Sequence, residues 1–300
     1  MASAASPESA PHGSALQLRD YRAWRERKIA AYPKRADDLV VEVRDPRRLS
    51  AAERAAILER VGRANMAVYA SSCGSDPGKE IARALARQFG LQRLDANWLA
   101  DDDGVSSIRV RSGAQRGEFI PYTSKPIRWH TDGYYNPPGQ RIRAFLLHCV
   151  REAAAGGETQ LLDHELAYVL LREANPDWAR ALLRPDAMTI PARVHDGEIE
   201  RAAQTGPVFS FDGADGSLHM RYTARTLNID WAQDPDTTAA ARFLAQWLSE
   251  DAPYALRLKL APGMGVICNN VLHTRSAFRD DPAHPRLLYR ARYYDRIRGT

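Results

Sequence analysis

The spacing of apolar positions divides the chain near residue 105. Before that point the period is helical. Residues 20–32 read as a lead-in helix, and Ser50-Ala51-Ala52-Glu53 is a capping box opening a helix that packs through Ala55, Ile57, Leu58 and Val61. Residues 66–70 form a short apolar strand. Asp76 then caps a helix with Pro77 at its first position, apolar Ile81, Ala84, Leu85 and Phe89, and Gly90 as its stop. Beyond residue 105 the texture changes to short β-prone runs broken by turn residues: 105–111, 127–132, 143–150, 158–162, 188–194, 208–211, 218–221, 254–260, 265–269 and 286–294. Helices interrupt them from Asp163 through Arg172, over 177–183, and over 235–250 with Ala239, Phe243 and Trp247 on one face. The pattern predicts a mainly β fold with flanking helices, a double-sheet jelly roll that could carry a metal in the mouth between its sheets. It is expected as a single domain over 19–300, with the jelly-roll core from about 105 to 295 and a disordered tail over 1–18.

Composition narrows the function classes. A chain with 44% hydrophobic and 26% charged residues has the balance of an ordinary soluble domain, and no apolar run reaches bilayer length, so no membrane partner is expected. The Ala/Ser/Pro-rich start lacks the pattern of a secretory signal. Cys73, Cys149 and Cys268 are widely spaced, which argues against a disulfide framework or a structural zinc and fits a cytoplasmic protein. The net charge of +5 comes mostly from scattered arginines rather than a stripe, so nucleic acid is not the expected partner. A small-molecule substrate is expected, and a homo-oligomer is open, since no interface signature stands out.

The chemistry is expected around Trp129-His130-Thr131-Asp132-Gly133. On an extended strand, a period of two puts His130 and Asp132 on one face, two-thirds of a 2-His-1-carboxylate facial triad. Among the remaining histidines His273 suits the third place, because it follows the turn-like Asn269-Asn270 after a buried strand. His148 reads as a core histidine within an apolar run, and His164 sits at a helix start where capping accounts for the neighbouring acids. Arg286 follows His273 after a turn containing Pro282 and Pro285, and its guanidinium fork suits a carboxylate; Arg290 shares its face. Three readings remain open from these residues: an iron oxygenase, a hydrolase or isomerase using zinc or another divalent ion, and a non-catalytic jelly-roll binding protein.

His130-Thr131-Asp132, Gly156-Gly157-Glu158-Thr159, Asn270 to His273 and Arg286 to Arg290, in that order, resemble the motifs of the Fe(II)/2-oxoglutarate dioxygenases of the taurine dioxygenase (TauD/TfdA) superfamily, over roughly residues 120–294. Tyr122-Thr123-Ser124 and Leu147-His148-Cys149 resemble the γ-butyrobetaine hydroxylase branch, without its amino-terminal zinc domain. The resemblance implies a double-stranded β-helix core, with His130, Asp132 and His273 as catalytic iron ligands. It implies that Arg286 clamps 2-oxoglutarate, that Thr159 adds a hydroxyl contact after a turn where glycine lets backbones come close, and that O2 is the second co-substrate. Hydroxylation of an unactivated C–H with release of succinate and CO2 is the implied reaction, since halogenating members lack the carboxylate that Asp132 supplies. For the substrate, Tyr122 matches an aromatic that surrounds a trimethylammonium group, and Tyr134, Tyr135 and Tyr222 are further pocket candidates. Arg290, assigned to the co-substrate end of the site, and also Arg221, Arg225 and Arg275, could pair with a carboxylate or sulfonate. A small zwitterionic or anionic metabolite, whether a betaine, an amino-acid-like compound or a sulfonate, is the expected substrate.

Overall fold

The computed structural model describes residues 21–95, 101, 103–111, 119–225, 229–249 and 252–300; the expected tail over 1–18 lies outside them. Two sheets face one another. The major sheet has six strands in the order Val40–Val43, Met66–Ser71, Met264–Cys268, Ala144–Arg151, Leu287–Tyr293 and Ser106–Ile108, antiparallel except for the first pair. The minor sheet is antiparallel throughout and runs Leu256–Leu258, Thr159–Leu162, Leu272–Arg275 and Ile127–His130.

Alternation along the central strands sorts their side chains between two layers. In Ala144–Arg151, Phe145 and Cys149 pack between the sheets with Met66, Val266, Leu161 and Leu256, while Ala144, Leu146 and Val150 pack outward. The outward layer is covered by the helices Ala51–Ala64 and Glu80–Gln88 through Ile57, Val61, Leu85 and Phe89. A third apolar cluster joins Trp129, Leu162 and Leu272 of the minor sheet to the helices His164–Ala174, Pro176–Leu182 and Pro235–Trp247. The mainly β expectation with flanking helices therefore matches the architecture, and Cys149 and Cys268 are buried packing residues.

Local departures have local causes. The capping box at Ser50 forms as expected, with Ser50 Oγ accepting from the Glu53 N–H and the Glu53 carboxylate accepting from the Ser50 N–H. The helix expected from Pro77 instead begins at Glu80, because Asp76 Oδ1 accepts from the Gly78 N–H at 2.8 Å and closes its own turn first. The run 188–194 splits into Met188–Ile190 and Arg193–His195 around Pro191, which cannot donate to a ladder. The Pro235–Trp247 helix buries Thr237, Ala240 and Leu244, with Phe243 and Trp247 only half-buried beside them. Among the described residues no helix is long and apolar enough to cross a membrane.

Candidate active site

The minor sheet brings the two histidines together. Ile127–His130 and Leu272–Arg275 pair antiparallel with His273 directly opposite His130, and the two imidazole centroids lie 4.1 Å apart. His273 thus lies inside a strand, not at the end of one. Asp132 reaches the same place by another route than the expected strand alternation, since the strand stops at His130 and Asp132 begins a turn. Gly133 supplies a φ of 68° at the next position, and a Cβ there would come within 2.4 Å of Ile142 Cγ1. The turn is fastened on both sides. Thr131 and Tyr222 exchange two bonds, the Thr131 N–H donating to the Tyr222 carbonyl at 3.0 Å and the Tyr222 N–H to Thr131 Oγ1 at 3.1 Å. Asn270 holds the backbone of Asp132.

Ligand atoms of His130, Asp132 and His273 all lie within 4.8 Å of one another. Each ring is oriented through Nδ1, which lies 2.9 Å from the Arg128 carbonyl in His130 and 3.0 Å from the Val271 carbonyl in His273. A carbonyl can only accept, so Nδ1 carries the proton and Nε2 is left as a lone-pair donor. Burial pushes His130 down to about 3, with His273 adding to it and Asp132 opposing, and burial also lowers His273. Burial alone would raise Asp132, but the guanidiniums of Arg290 and Arg292 hold it well below the usual carboxylate range. The set is therefore two neutral imidazoles and one ionised carboxylate. Asp132 Oδ1 accepts from Arg290 Nη1 at 3.2 Å, whereas Oδ2 is buried with no hydrogen-bond partner among the described residues. A buried carboxylate oxygen without a partner is costly, and a divalent cation is what the donor set fits.

The same face opens into a cavity lined by His130, His273, Thr159, Arg286 and Arg290. Gly156, with a φ of 69°, lets the chain pass so close to the strand Phe278–Arg279 that a Cβ would stand 2.2 Å from the Ala277 carbonyl; Thr159 follows, 4% exposed. Arg286 is 5% exposed, its guanidinium stacks over Phe278 at 5.0 Å, and its Nη1 is buried without a partner among the described residues. A buried guanidinium with a free arm, facing the cavity that also holds the histidines, fits a carboxylate-bearing co-substrate.

Several expected substrate residues are placed elsewhere. Tyr122 is fully buried between the sheets with Phe145 and Leu161 and does not line the cavity. Tyr222 is 2% exposed in the outer apolar cluster, where it serves the metal turn through its backbone. Arg275 borders the cavity, but its guanidinium donates to the carbonyls of Pro121, Thr123 and Lys125 at 3.1, 2.7 and 2.5 Å, tying down the 120–125 turn. Arg221 is likewise bonded to backbone carbonyls, and Arg225 is exposed. Tyr134 and Tyr135 are half-buried and meet edge to face at 5.1 Å.

Two residues escaped the sequence reading. Arg292, one alternation beyond Arg290, donates to the Tyr135 hydroxyl at 3.0 Å and pairs with buried Asp95 at 2.5 Å. Continuing the period of two from Arg286 past Arg290 would have found it; nothing in sequence marks Asp95. Of the other histidines, His148 is buried with Nδ1 2.8 Å from the Tyr69 hydroxyl, and His164 bonds the Leu218 carbonyl at 2.9 Å.

The chain is similar to proteins of one family. A family model described as taurine catabolism dioxygenase TauD, TfdA family, matches residues 36–292. Two curated relatives are both named uridine-5'-phosphate dioxygenase. One, from Amycolatopsis sp, is 35% identical over 177 residues, covering 57% of this chain and 62% of the relative, so the match spans less than two-thirds of that protein. The other, from Streptomyces sp, is 32% identical over 226 residues, covering 71% of this chain and 78% of the relative. Among solved structures, the non-haem iron oxygenase OrfP in complex with iron and α-ketoglutaric acid superposes with a TM-score of 0.60 at 19% identity, covering 92% of both chains. The comparisons give no support to the γ-butyrobetaine hydroxylase branch, and the burial of Tyr122 removes the aromatic on which a trimethylammonium pocket was expected to rest.

Proposed function

The chain belongs to the TauD/TfdA family and is an Fe(II)/2-oxoglutarate-dependent dioxygenase; within that family, we propose that it oxidises a C–H bond of a nucleoside 5'-monophosphate, uridine 5'-phosphate first among them. The family sets aside both the divalent-metal hydrolase or isomerase and the non-catalytic binding protein. The observation that carries the substrate class is the name shared by both curated relatives, one of them aligned over 71% of this chain. The site's charge agrees: Arg275, Arg286 and Arg290 line the cavity beside the single carboxylate of the triad, leaving positive charge in excess for anionic ligands.

Bound Fe(II) and 2-oxoglutarate supply the oxidising power, with O2 consumed and succinate and CO2 released. The chain's own residues position the reactants. His130 and His273 would hold the metal through Nε2, their rings kept from rotating by the Nδ1–H bonds to Arg128 and Val271. Asp132 would hold it through its carboxylate, whose Oδ1 lies 3.8 Å from His130 Nε2 and which Arg290 and Arg292 keep ionised. Arg286 would take the distal carboxylate of 2-oxoglutarate on its free Nη1, with the Thr159 hydroxyl nearby in the cavity wall. Stacking on Phe278 fixes the Arg286 fork before the ligand arrives, so less freedom is lost on binding.

The test is a turnover assay with Fe(II), ascorbate, 2-oxoglutarate and O2, reading succinate against loss of the offered substrate. Uridine 5'-phosphate is expected to give succinate in step with its own consumption, and uridine, taurine, asparagine and γ-butyrobetaine much less. Coupled turnover of an amino acid or sulfonate with none of the nucleotide would sink this reading.

A further inference from the structure

The turn that carries Asp132 borders a second cleft, distinct in lining from the cavity that holds the histidines. It contains about 390 Å³ of empty space, with Gly133 and Asn136 on one side and Arg141, Ser210, His219 and Arg221 among its other walls. Among the described residues no aspartate or glutamate lines it. Arg221 is locked in place by neutral acceptors only: its Nη2 donates to the carbonyls of Met188 and Gly206 at 2.5 and 2.8 Å, its Nη1 to Gln204 at 3.1 Å and its Nε to Pro207 at 3.1 Å. Carbonyls orient a guanidinium but leave its charge unneutralised. Arg141 has neither a hydrogen bond nor an ion pair among the described residues, and the His219 side chain has none either. The carboxylates of the adjoining turn are already engaged, since Asp212 and Asp215 pair with Arg143 at 3.0 and 2.8 Å. Burial, with Arg141 adding to it, pushes Arg221 down to about 10, and His219 is held neutral by burial among His164 and the charges of Arg141, Arg143 and Arg221.

Two guanidiniums and an imidazole line a concave surface to which the described residues bring no counter-charge. Such an arrangement is costly by itself and becomes favourable when an anion enters. A doubly charged phosphate matches two guanidiniums in charge: Arg141 has its fork free to meet it, Arg221, whose N–H groups are given to carbonyls, contributes its unneutralised charge, and Ser210 offers a hydroxyl. We propose that this cleft is a phosphate-binding site, with Arg141 as its mobile cationic arm and Arg221 as its fixed one. Its occupant is either the phosphate of the nucleotide substrate or free phosphate; the first case rests on the nucleotide reading above and the second does not.

The experiment is calorimetric titration of the full chain, loaded with Fe(II) and 2-oxoglutarate under anaerobic conditions, with inorganic phosphate, uridine 5'-phosphate and uridine. Arg141→Ala removes no internal bond and should fold as the parent does. It is expected to weaken binding of a phosphate-bearing ligand by about tenfold or more, the scale of a lost charge-assisted contact, with partial recovery in Arg141→Lys. Ser210→Asp, which places a carboxylate in the cleft, should abolish that binding, while uridine should not distinguish the variants. Weakened binding of both phosphate and nucleotide assigns the site to the substrate's phosphate; weakened binding of inorganic phosphate alone assigns it to the free ion. Absence of phosphate-dependent binding in the parent, or binding that neither substitution changes, overturns the site. Arg141-dependent phosphate binding without coupled turnover of uridine 5'-phosphate would leave the site standing and remove the nucleotide reading; turnover with binding and KM indifferent to Arg141 would do the reverse.

Discussion

Asn270 grips Asp132 by both of its backbone polar groups: the Asn270 Oδ1 accepts from the Asp132 N–H at 2.8 Å and the Nδ2 donates to the Asp132 carbonyl at 3.0 Å. The same Nδ2 also donates to the Ile142 carbonyl at 2.7 Å, so one side chain ties the metal turn to the segment at Ile142. Asn270 itself has a φ of 50°, a conformation that asparagine and glycine tolerate. Asn270→Gly keeps that backbone and deletes the grip. It is expected to weaken Fe(II) binding by about 10–100-fold, the usual cost of losing a partner that orients a ligand, measured by iron titration of the metal-free protein. Unchanged affinity would show that the turn holds its shape without Asn270.

Arg286→Gln should act on the co-substrate alone. The substitution removes the free buried Nη1 while leaving the three metal ligands intact. The apparent KM for 2-oxoglutarate should rise about tenfold or more, the scale of a lost hydrogen bond to a charged group, while iron binding without 2-oxoglutarate stays as in the parent. A rise in the substrate KM instead would place the guanidinium at the substrate.

Arg275 is expected to behave as a structural residue despite bordering the cavity. Its guanidinium satisfies carbonyls of the 120–125 turn, and burial pushes it down to about 9. Arg275→Met should cost about 2–4 kcal/mol in urea unfolding, since several carbonyls lose their donor at once. A variant as stable as the parent but with a raised substrate KM would return Arg275 to substrate recognition.

The buried triad of Lys28, Asp163 and Glu165 should make stability depend on acid. Lys28 Nζ lies 2.5 Å from both carboxylates. Burial alone would raise Glu165, but Lys28 holds it below its ordinary value of 4.5. A depressed folded-state value means that the stabilisation is present above 4.5 and is lost as the pH falls below it. Urea midpoints should therefore drop on acidification through that range. In Lys28→Met the carboxylates lose their cation, and stability at neutral pH should fall by about 3–5 kcal/mol.

The parts of the site legible in sequence were those fixed by ligand chemistry and chain order. Ligand chemistry and the order of the family motifs single out His130, Asp132 and His273, which the fold brings together, and Arg286, which borders the same cavity. Strand alternation predicts that Asp132 shares a face with His130, whereas a turn with glycine at positive φ produces that proximity. Tyr122 and Arg275 were assigned to substrate because they neighbour the motifs, but neighbourhood along a strand says nothing of which carbonyls or apolar groups a side chain will meet after folding. Asn270 was noticed only as a turn former, and the Asp95–Arg292 pair depends on contacts between distant segments that no local pattern records. For the fold, the β texture and most strands were readable, whereas the short strand Val40–Val43 lies in a stretch too brief to show a period.

The register that sets His273 opposite His130 has a consequence for the whole sheet. A cation shared by those two residues acts as a cross-link between segments far apart in the chain, closing a long loop that the unfolded protein would otherwise leave open. Because such an ion favours the native state over the unfolded one, its binding energy adds to the work of separating the strands. Iron is then a structural tenant as well as a reagent, and amide exchange along Ile127–His130 and Leu272–Arg275 should slow together when it binds.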